Sequence, residues 1–489
     1  MHFPINESIQ KEKSIALMRL AYDELLASQL SLILVRNSFN KKLGNKYFSS
    51  NQLYLNKLIN SLPFQLTEEQ KIILNQVIKD LLKKQRMNRL IHGDVGTGKT
   101  ILALLAAYYV IKSKYQVAIL APTELLAKQH YKLATLLLKN FNISCFLLVS
   151  SSEKKEVILE KISEGEADLV IGTHSLIQER VKFKNLSFVI IDEQHRFGVE
   201  QRLKMREKGK NVDMLLLSAT PIPRTLMLAA LGDIDVSIMK QRPNKSEIKT
   251  IIKSENNLLE VISYVKEEIH RGKKIFWVCP MIDQEEELKK SNVIHRYNSL
   301  KNKFKDIAIL HGKMSSDEKN AIIENFRVGS IKILITTVVI EVGIDIPDAN
   351  IIIIEQSETF GLAQIHQLRG RVGRGKENGT CILLFKENLT ESAYERLLVM
   401  KSTNDGFIIA EKDLEMRGGG EVLGVKQYGY ENFIFFDIIH HNSLVKIANK
   451  EANYILHKDP TLISPRGILL RNLLYIFKKD RVLDLISAG

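Results

Sequence analysis

Cysteine is scarce in this chain: Cys145, Cys279 and Cys381 are the only three, far apart and each set among apolar neighbours. That is too few and too scattered for a disulfide framework or a cysteine-based zinc site, so all three fit small buried hydrophobes in a reducing compartment. Long apolar runs are missing as well. The stretch from Ile101 to Ile111 falls well short of the roughly 20 residues needed to cross a bilayer. The opening MHFPINESIQKEK has no apolar core behind basic residues, which a secretory signal requires. A cytoplasmic protein without a membrane partner is therefore expected. Low-complexity tracts and close internal repeats are also lacking, against a disordered or solenoid class.

What is present suits a folded multidomain protein. Hydrophobic residues at 45% and charged residues at 26% match globular averages. A chain of 489 residues has room for two to four domains of roughly 150 residues each. Lysine and arginine number 70 against 56 acids, and the resulting net charge of +14 draws polyanions, nucleic acid foremost, through counterion release. Lysines scattered over solvated faces give the same excess, so charge alone needs a motif beside it.

From Ser14 to about Arg36 apolar residues recur at helical spacing (Ile15, Leu17, Leu20, Leu25, Leu26, Leu30), which predicts an amphipathic helix broken by the polar stretch Asn37 to Asn51. After Pro63 short apolar runs alternate with helical patterns: Arg89 to Ile91, Val117 to Leu120, Asp168 to Ile171, Phe188 to Ile191 and Met214 to Leu217. Such alternation predicts a parallel sheet wrapped by helices. It restarts after Arg242-Pro243, with Lys274 to Val278, Ile307 to Leu310, Ile331 to Ile335, Asn350 to Ile354 and Cys381 to Phe385. The expected organisation is a helical region over 1–61, α/β lobes over 62–240 and 241–392, and a helical region over 393–489 with a glycine cluster at Gly418, Gly419 and Gly420.

The strongest chemical signal is Gly93-Asp94-Val95-Gly96-Thr97-Gly98-Lys99-Thr100, a full phosphate-loop pattern between a short strand and an apolar helix. Glycines let backbone amides curl around phosphates at a helix N-terminus, Lys99 reaches the outer phosphates, and the Thr100 hydroxyl is a magnesium ligand. Further on, a strand ends in Asp192-Glu193, an acidic pair suited to holding the metal (Asp192) and polarising the attacking water (Glu193). ATP and magnesium are thus the expected cofactors. Ser218 and Thr220 end the next strand, where hydroxyls can couple the nucleotide site to neighbouring segments.

Phosphoryl transfer also needs positive charge on the γ-phosphate. Gln367-Leu368-Arg369-Gly370-Arg371-Val372-Gly373-Arg374 supplies three arginines, of which Arg371 and Arg374 are the candidate fingers. If they come from the second lobe, ATP lies in the cleft, and hydrolysis opens and closes it. His311, Thr336, Thr337, Glu341, Gly343 and Asp345 follow strands of that lobe, where hydroxyls and loop amides suit backbone phosphates.

Taken in order, GDVGTGKT, APTELLAKQH, IGTHSL, DEQH, SATPIPRT, TTVVIEVGIDIP and QLRGRVGR resemble a superfamily-two helicase core. From about Leu62 to Phe435 the chain resembles the RecG family, through DEQHRFGVEQR, GLAQIHQLRGRVGRG and NDGFIIAEKDLEMRGGGEVLGVKQYG. The resemblance implies two tandem RecA-like lobes that hydrolyse ATP with magnesium and pull DNA, whether duplex, fork or junction, in recombination and repair. It carries over Gln70 as the amide partner of the adenine, although Thr67 followed by acids is equally a helix capping box. It also places Gly343 and Asp345 at the nucleotide, Thr123, His174, Ser218, Thr220, His311, Thr336, Thr337 and Gln367 along the DNA and coupling path, and Arg417, Glu421 and Gln427 in the translocation motif. Gly419 stands where the family usually has proline and Tyr428 where it usually has serine, which adds loop flexibility.

Nothing in the chain resembles the family's amino-terminal wedge domain, and Ala21 to Leu34 looks like the linker helix that follows it. A monomer is expected, with a separate wedge-supplying protein among its partners. DNA-stimulated hydrolysis depends less on a wedge than fork or junction unwinding does. The alternatives are a DNA-binding remnant without productive turnover, and a motor related to the transcription-repair coupling factor, which shares the translocation motif.

Overall fold

The computed structural model describes residues 15–40, 44–152, 154–220, 223, 234–241, 243, 246–280, 288–312, 314–337, 346, 348–375, 377–387, 389–417, 433–437 and 440–480. They form two α/β lobes and a helical body built from both ends of the chain.

The first lobe holds β1 (Asn88–Gly93), β2 (Gln116–Leu120), β3 (Cys145–Leu148), β4 (Leu169–Gly172), β5 (Leu186–Ile191), β6 (Asp213–Ser218) and β7 (Asp235–Met239), in the spatial order β3-β4-β2-β5-β6-β1-β7. All pairings are parallel. The second lobe repeats the plan with β8 (Ile248–Ser254), β9 (Lys274–Val278), β10 (Ile307–Leu310), β11 (Ile333–Thr336), β12 (Ala349–Ile354) and β13 (Gly379–Phe385), ordered β10-β11-β9-β12-β13-β8 and again parallel.

Continuous apolar runs become strands here because helices bury both sheet faces. Alternate residues of β2 show it: Val117 and Ile119 join the core on one face, Ala118 and Leu120 the core on the other. In β9 Phe276 and Val278 likewise part from Ile275 and Trp277. Cys279 and Cys381 are buried and Cys145 partly so, and burial pushes all three thiols up.

The expected strands are present, with ends moved by a residue or two. Three more were not anticipated: β3, β7 and β8. Each is an edge strand, and partial exposure of an edge admits the polar and charged residues that dilute an apolar run, as in Ile248-Lys249-Thr250-Ile251-Ile252-Lys253-Ser254.

The parallel order dictates where chemistry gathers. Strands β5, β6 and β1 lie side by side, so the residues leaving their carboxyl ends, Asp192-Glu193, Ala219-Thr220 and Asp94 to Lys99, converge on one rim. The hinge between lobes is tied to that rim: the Glu69 carboxylate accepts the amides of Lys240 (2.9 Å) and Gln241 (2.7 Å).

The opening helix runs from Ile15 to Asn40, beyond the expected break near Asn37, and Ile15 lies outside its buried stripe. Leu26, Leu30, Ile33 and Leu34 pack against Ala452 and Leu456 of the helix Asn442–Lys458, Leu474 of the helix Pro465–Ile476, and Leu462 of the turn between them. Ala21 and Leu25 meet Phe436, Val445 and Ala448, together with Val236 and Ile238 of β7 and Phe407 and Leu414 of the helix Gly406–Arg417. Buried Glu24 fixes the register, its carboxylate accepting the amides of Ile434 (2.7 Å), Phe435 (2.7 Å) and Phe436 (2.8 Å).

Replacing Glu24 with Ala leaves these amides without their acceptor, at a local cost of roughly 1–3 kcal/mol. Amide hydrogen exchange at residues 434–436 is expected to accelerate at least about tenfold, with little change at β2 and β9. Equal exchange in both proteins would refute this role for Glu24.

Candidate functional site

β1 delivers the chain to Gly93, and the helix Lys99–Ile111 leaves from Lys99. Between them the backbone is left-handed at Gly96 (φ 82°) and Gly98 (φ 92°), a conformation that glycine adopts without steric cost. Open space faces Gly96, whereas a side chain at Gly98 would place Cβ 2.4 Å from Gln70 Nε2. Thr97 donates its hydroxyl to the Asp94 carbonyl at 2.8 Å, drawing the loop into a ring. The Lys99 ammonium donates to the carbonyls of Gly93 (2.6 Å) and Asp94 (2.7 Å), and burial lowers its pKa against the opposing pull of Glu193 and Asp192. Thr100 follows, half-buried in the first turn of the helix.

Gln70 forms the capping box that its segment predicts and also braces the phosphate loop. It completes a capping box with Thr67, whose amide donates to Gln70 Oε1 at 2.9 Å, and its Nε2 donates to the Thr97 carbonyl at 2.8 Å. Its amide is thus built into the loop wall.

The two acids after β5 are adjacent but differ electrostatically. Burial alone would raise Asp192, but His130 at 2.8 Å and the charge of Lys99 hold it below the ordinary carboxylate range. Its other oxygen accepts the Glu193 amide at 2.9 Å. Glu193 sits in a left-handed conformation (φ 49°), and burial followed by the Asp192 charge raises its pKa to about 7. The Ala219 amide approaches its Oε2 at 3.4 Å, and His195, itself kept neutral by burial with a pKa lowered to about 4, lies 3.6 Å away. Ser218 is buried, its hydroxyl 2.9 Å from that of Thr220, and the Thr220 carbonyl meets His92 Nε2 at 2.9 Å.

The second lobe closes over this rim. Gly370 comes so near Val95 that a Cβ on it would lie 3.1 Å from that of Val95. The three arginines around Gly370 part ways. Arg369 is fully buried and turned inward, bonding the carbonyls of Met400 (2.6 Å) and Thr403 (3.0 Å). The positive charges of Arg371 and Arg374 reach the first-lobe site: Arg371 pulls Glu193 down, and Arg374 pulls Lys99 down. Gln367 is buried beside them.

Thr123 caps the helix Glu124–Leu138 through the Leu126 amide, and His174 stacks on Phe197 at 5.0 Å. His311 follows β10, while Thr336 and Thr337 are buried at the end of β11, the Thr336 hydroxyl donating to the Thr337 carbonyl at 3.0 Å. Gly343, Asp345, Glu421, Gln427 and the side chain of Arg417 lie outside the described residues, as do Gly419 and Tyr428. His366, which places Nε2 2.5 Å from Asp94 Oδ1, and Gly406, packed against that pair, were not among the expected residues. The motif containing His366 was legible, but its pairing with Asp94 was not.

This set fits a nucleoside triphosphate. The left-handed glycines leave a cradle of backbone amides, the buried ammonium is a phosphate partner, and positive charge comes from the opposite lobe. It also fits a magnesium ion: the Thr100 hydroxyl starts the helix, and Asp192, ionised and already oriented by His130, retains lone pairs beyond its two hydrogen bonds. Among the described residues no cluster of three or more His, Cys, Asp or Glu could hold a metal ion. No described helix is long and apolar enough to cross a membrane.

Three family descriptions match in succession: DEAD/DEAH box helicase at residues 68–228, helicase conserved C-terminal domain at 255–376, and ATP-dependent DNA helicase RecG, domain 3, C-terminal, at 403–486. The chain is 39% identical over 480 residues to the ATP-dependent DNA helicase RecG of Bacillus subtilis, covering 96% of this chain and 70% of that one. It is 43% identical over 458 residues to the RecG of Aquifex aeolicus, covering 91% and 57%. Among solved structures it is similar to RecG bound to a three-way DNA junction, with a TM-score of 0.72 and 40% identity over 89% of this chain and 57% of that one. Saccharomyces cerevisiae Dbp5 bound to RNA shares the fold, with a TM-score of 0.54 at 19% identity. The chain thus spans between 57% and 70% of the length of these RecG relatives.

Replacing Gly98 with Ala forces a non-glycine residue to φ 92° and drives its Cβ into Gln70, at a cost of roughly 1–3 kcal/mol. Titration with a fluorescent ATP analogue is expected to show at least about tenfold weaker binding, whereas Gly96→Ala, facing open space, loses less. Equal affinities for the two variants would remove Gln70 as the wall of the loop.

Proposed function

The chain belongs to the RecG family of ATP-dependent DNA helicases, and from that premise we propose that it is an ATP-driven motor acting on double-stranded or branched DNA, processing stalled forks and junctions in recombination and repair. The observation that carries the reading is contact across the cleft. His366 and Gly370 of the second lobe meet Asp94 and Val95 of the phosphate loop, beside Arg371 and Arg374, so chemistry at the phosphates and the position of the lobes are linked.

In this reading the amides from Gly93 to Thr97 and the buried Lys99 bind the phosphates, with Gln70, Gly343 and Asp345 completing the nucleotide site. Thr100 and Asp192 hold magnesium, which when bound neutralises phosphate charge. Glu193 orients the attacking water and accepts its proton, for which a pKa raised to about 7 is suitable. Arg371 and Arg374 stabilise the charge that develops on the transferred phosphoryl group. Thr123, His174, Ser218, Thr220, His311, Thr336, Thr337 and Gln367 contact DNA or relay lobe movement, and Arg417, Glu421 and Gln427 couple it to translocation. The protein works as a monomer in the cytoplasm.

Magnesium-dependent ATP hydrolysis should be measured without nucleic acid and with single strands, linear duplex and a synthetic fork, at fixed salt because affinity falls steeply with ionic strength. Stimulation by duplex or fork above single strands is the expected result. A flat rate across all four conditions refutes a coupled motor, and Lys99→Ala and Glu193→Gln should each abolish whatever rate is found.

The acid limb of kcat/KM gives an independent check, since it reports groups of the free enzyme. Glu193 works only when ionised, and its raised pKa in the metal-free site moves that ionisation toward neutrality, so, with magnesium delivered together with the nucleotide, kcat/KM should rise with pH through about 7. A profile already level from pH 5 upward, where an ordinary glutamate is ionised, would exclude Glu193 as the base.

A further inference from the structure

The cleft contains a contact outside the phosphoryl-transfer roles assigned above. His366, on the second-lobe helix Leu362–Arg369, is buried with Nε2 2.5 Å from Asp94 Oδ1 in the phosphate loop. Its other nitrogen, Nδ1, lies 3.1 Å from Arg369 Nη2, and a guanidinium only donates, so Nδ1 accepts and Nε2 carries the proton given to Asp94. Arg369 in turn holds the carbonyls of Met400 and Thr403, just ahead of the helix Gly406–Arg417.

That helix begins on the contact itself. A Cβ on Gly406 would lie 2.6 Å from His366 Nε2 and 2.8 Å from Asp94 Oδ1, so the Gly406 backbone closes over the pair. The next residue, Phe407, packs edge-on against His92 at 4.9 Å, and His92 immediately precedes Gly93 at the end of β1. The carbonyl of Asp94 also accepts the Lys99 ammonium. One residue therefore meets the phosphate-binding lysine through its backbone and the second lobe through its side chain.

We infer that His366 is a positioning residue, a latch that joins Asp94 to the start of the helix Gly406–Arg417 when the lobes close and so relays the state of the nucleotide loop to the carboxy-terminal region. The inference rests on the motor reading above. Its partners sit on different lobes, so opening the cleft breaks the latch, and no chemistry on ATP passes through the imidazole.

Three variants test it: His366→Leu, which removes the donor; His366→Gln, whose Nε2 can replace it; and Gly406→Ala, which keeps both partners and pries them apart. Each is compared with the unchanged chain for thermal unfolding, affinity for a fluorescent ATP analogue, and ATP hydrolysis with and without duplex DNA. His366→Leu and Gly406→Ala are expected to lose about tenfold to a hundredfold in DNA-stimulated rate, as misplacement remote from the chemistry does, while nucleotide affinity changes less than about threefold and His366→Gln stays near the unchanged chain.

Undiminished stimulation in His366→Leu and Gly406→Ala overturns the latch. So does a parallel fall in nucleotide affinity, which would make His366 part of the binding pocket, and so does a loss in His366→Gln equal to that in His366→Leu. If His366→Leu does not fold, Gly406→Ala decides alone. Absence of DNA stimulation in the unchanged chain refutes the motor reading itself, whereas stimulation there and in every variant refutes only the latch.

Discussion

Everything in this molecule that bears on chemistry depends on how one loop is held. From Gly93 to Lys99 the backbone combines left-handed glycines with a buried ammonium. Thr97 and Lys99 tie the loop through its own carbonyls, and partners from elsewhere meet its outer side. Gln70 supports it at Thr97, Gly370 presses on Val95, and His366 takes the Asp94 carboxylate. Two of these three come from the second lobe. The shape of the loop and the closure of the cleft are consequently a single variable, which is what a machine converting phosphate chemistry into movement requires.

The acids facing the loop show how burial is turned to use. Asp192 and Glu193 are neighbours in sequence and share the same desolvation, yet their proton affinities are driven apart. His130 and Lys99 hold Asp192 ionised, and that very charge helps to raise Glu193. Two carboxylates in one small space divide into an anion and a proton acceptor because only Asp192 has a histidine as its partner at hydrogen-bond distance. Lys99, and more weakly Arg371 from across the cleft, oppose the rise in Glu193.

The residues visible in the sequence were those whose chemistry demands a particular type at a particular spacing. Phosphate binding needs glycines, lysine and a hydroxyl within eight positions, and an acidic pair has to follow a buried strand, so both announced themselves. Interior strands did too, because burial on both faces leaves an unbroken apolar run. The edge strands β3, β7 and β8 did not, their exposed sides carrying residues that also suit loops. Of three arginines in one turn, periodicity could not say that Arg369 faces inward while Arg371 and Arg374 act toward the other lobe. Pairings remote in sequence were invisible for a more basic reason. His366 and Asp94 are separated by 272 positions and Glu24 and Ile434 by 410, and no local pattern encodes which partner a buried histidine or glutamate will meet.

Those two remote pairings bear on how lobe movement can leave the cleft. The helix Gly406–Arg417 starts against Asp94 and His366, inside the nucleotide cleft. Beyond residues 418–432, which carry most of the translocation-motif resemblance, the chain is seized again at Ile434 to Phe436 by Glu24. Glu24 belongs to the opening helix, which packs on β7 of the first lobe and pairs Arg36 with Asp235 there. The helix Gly406–Arg417 thus meets both lobes at its start and, through Phe407 and Leu414, the opening helix. The opening helix, which carries none of the catalytic motifs, therefore joins the first lobe to the elements on both sides of residues 418–432, and a change in the cleft reaches it through the helix that begins there.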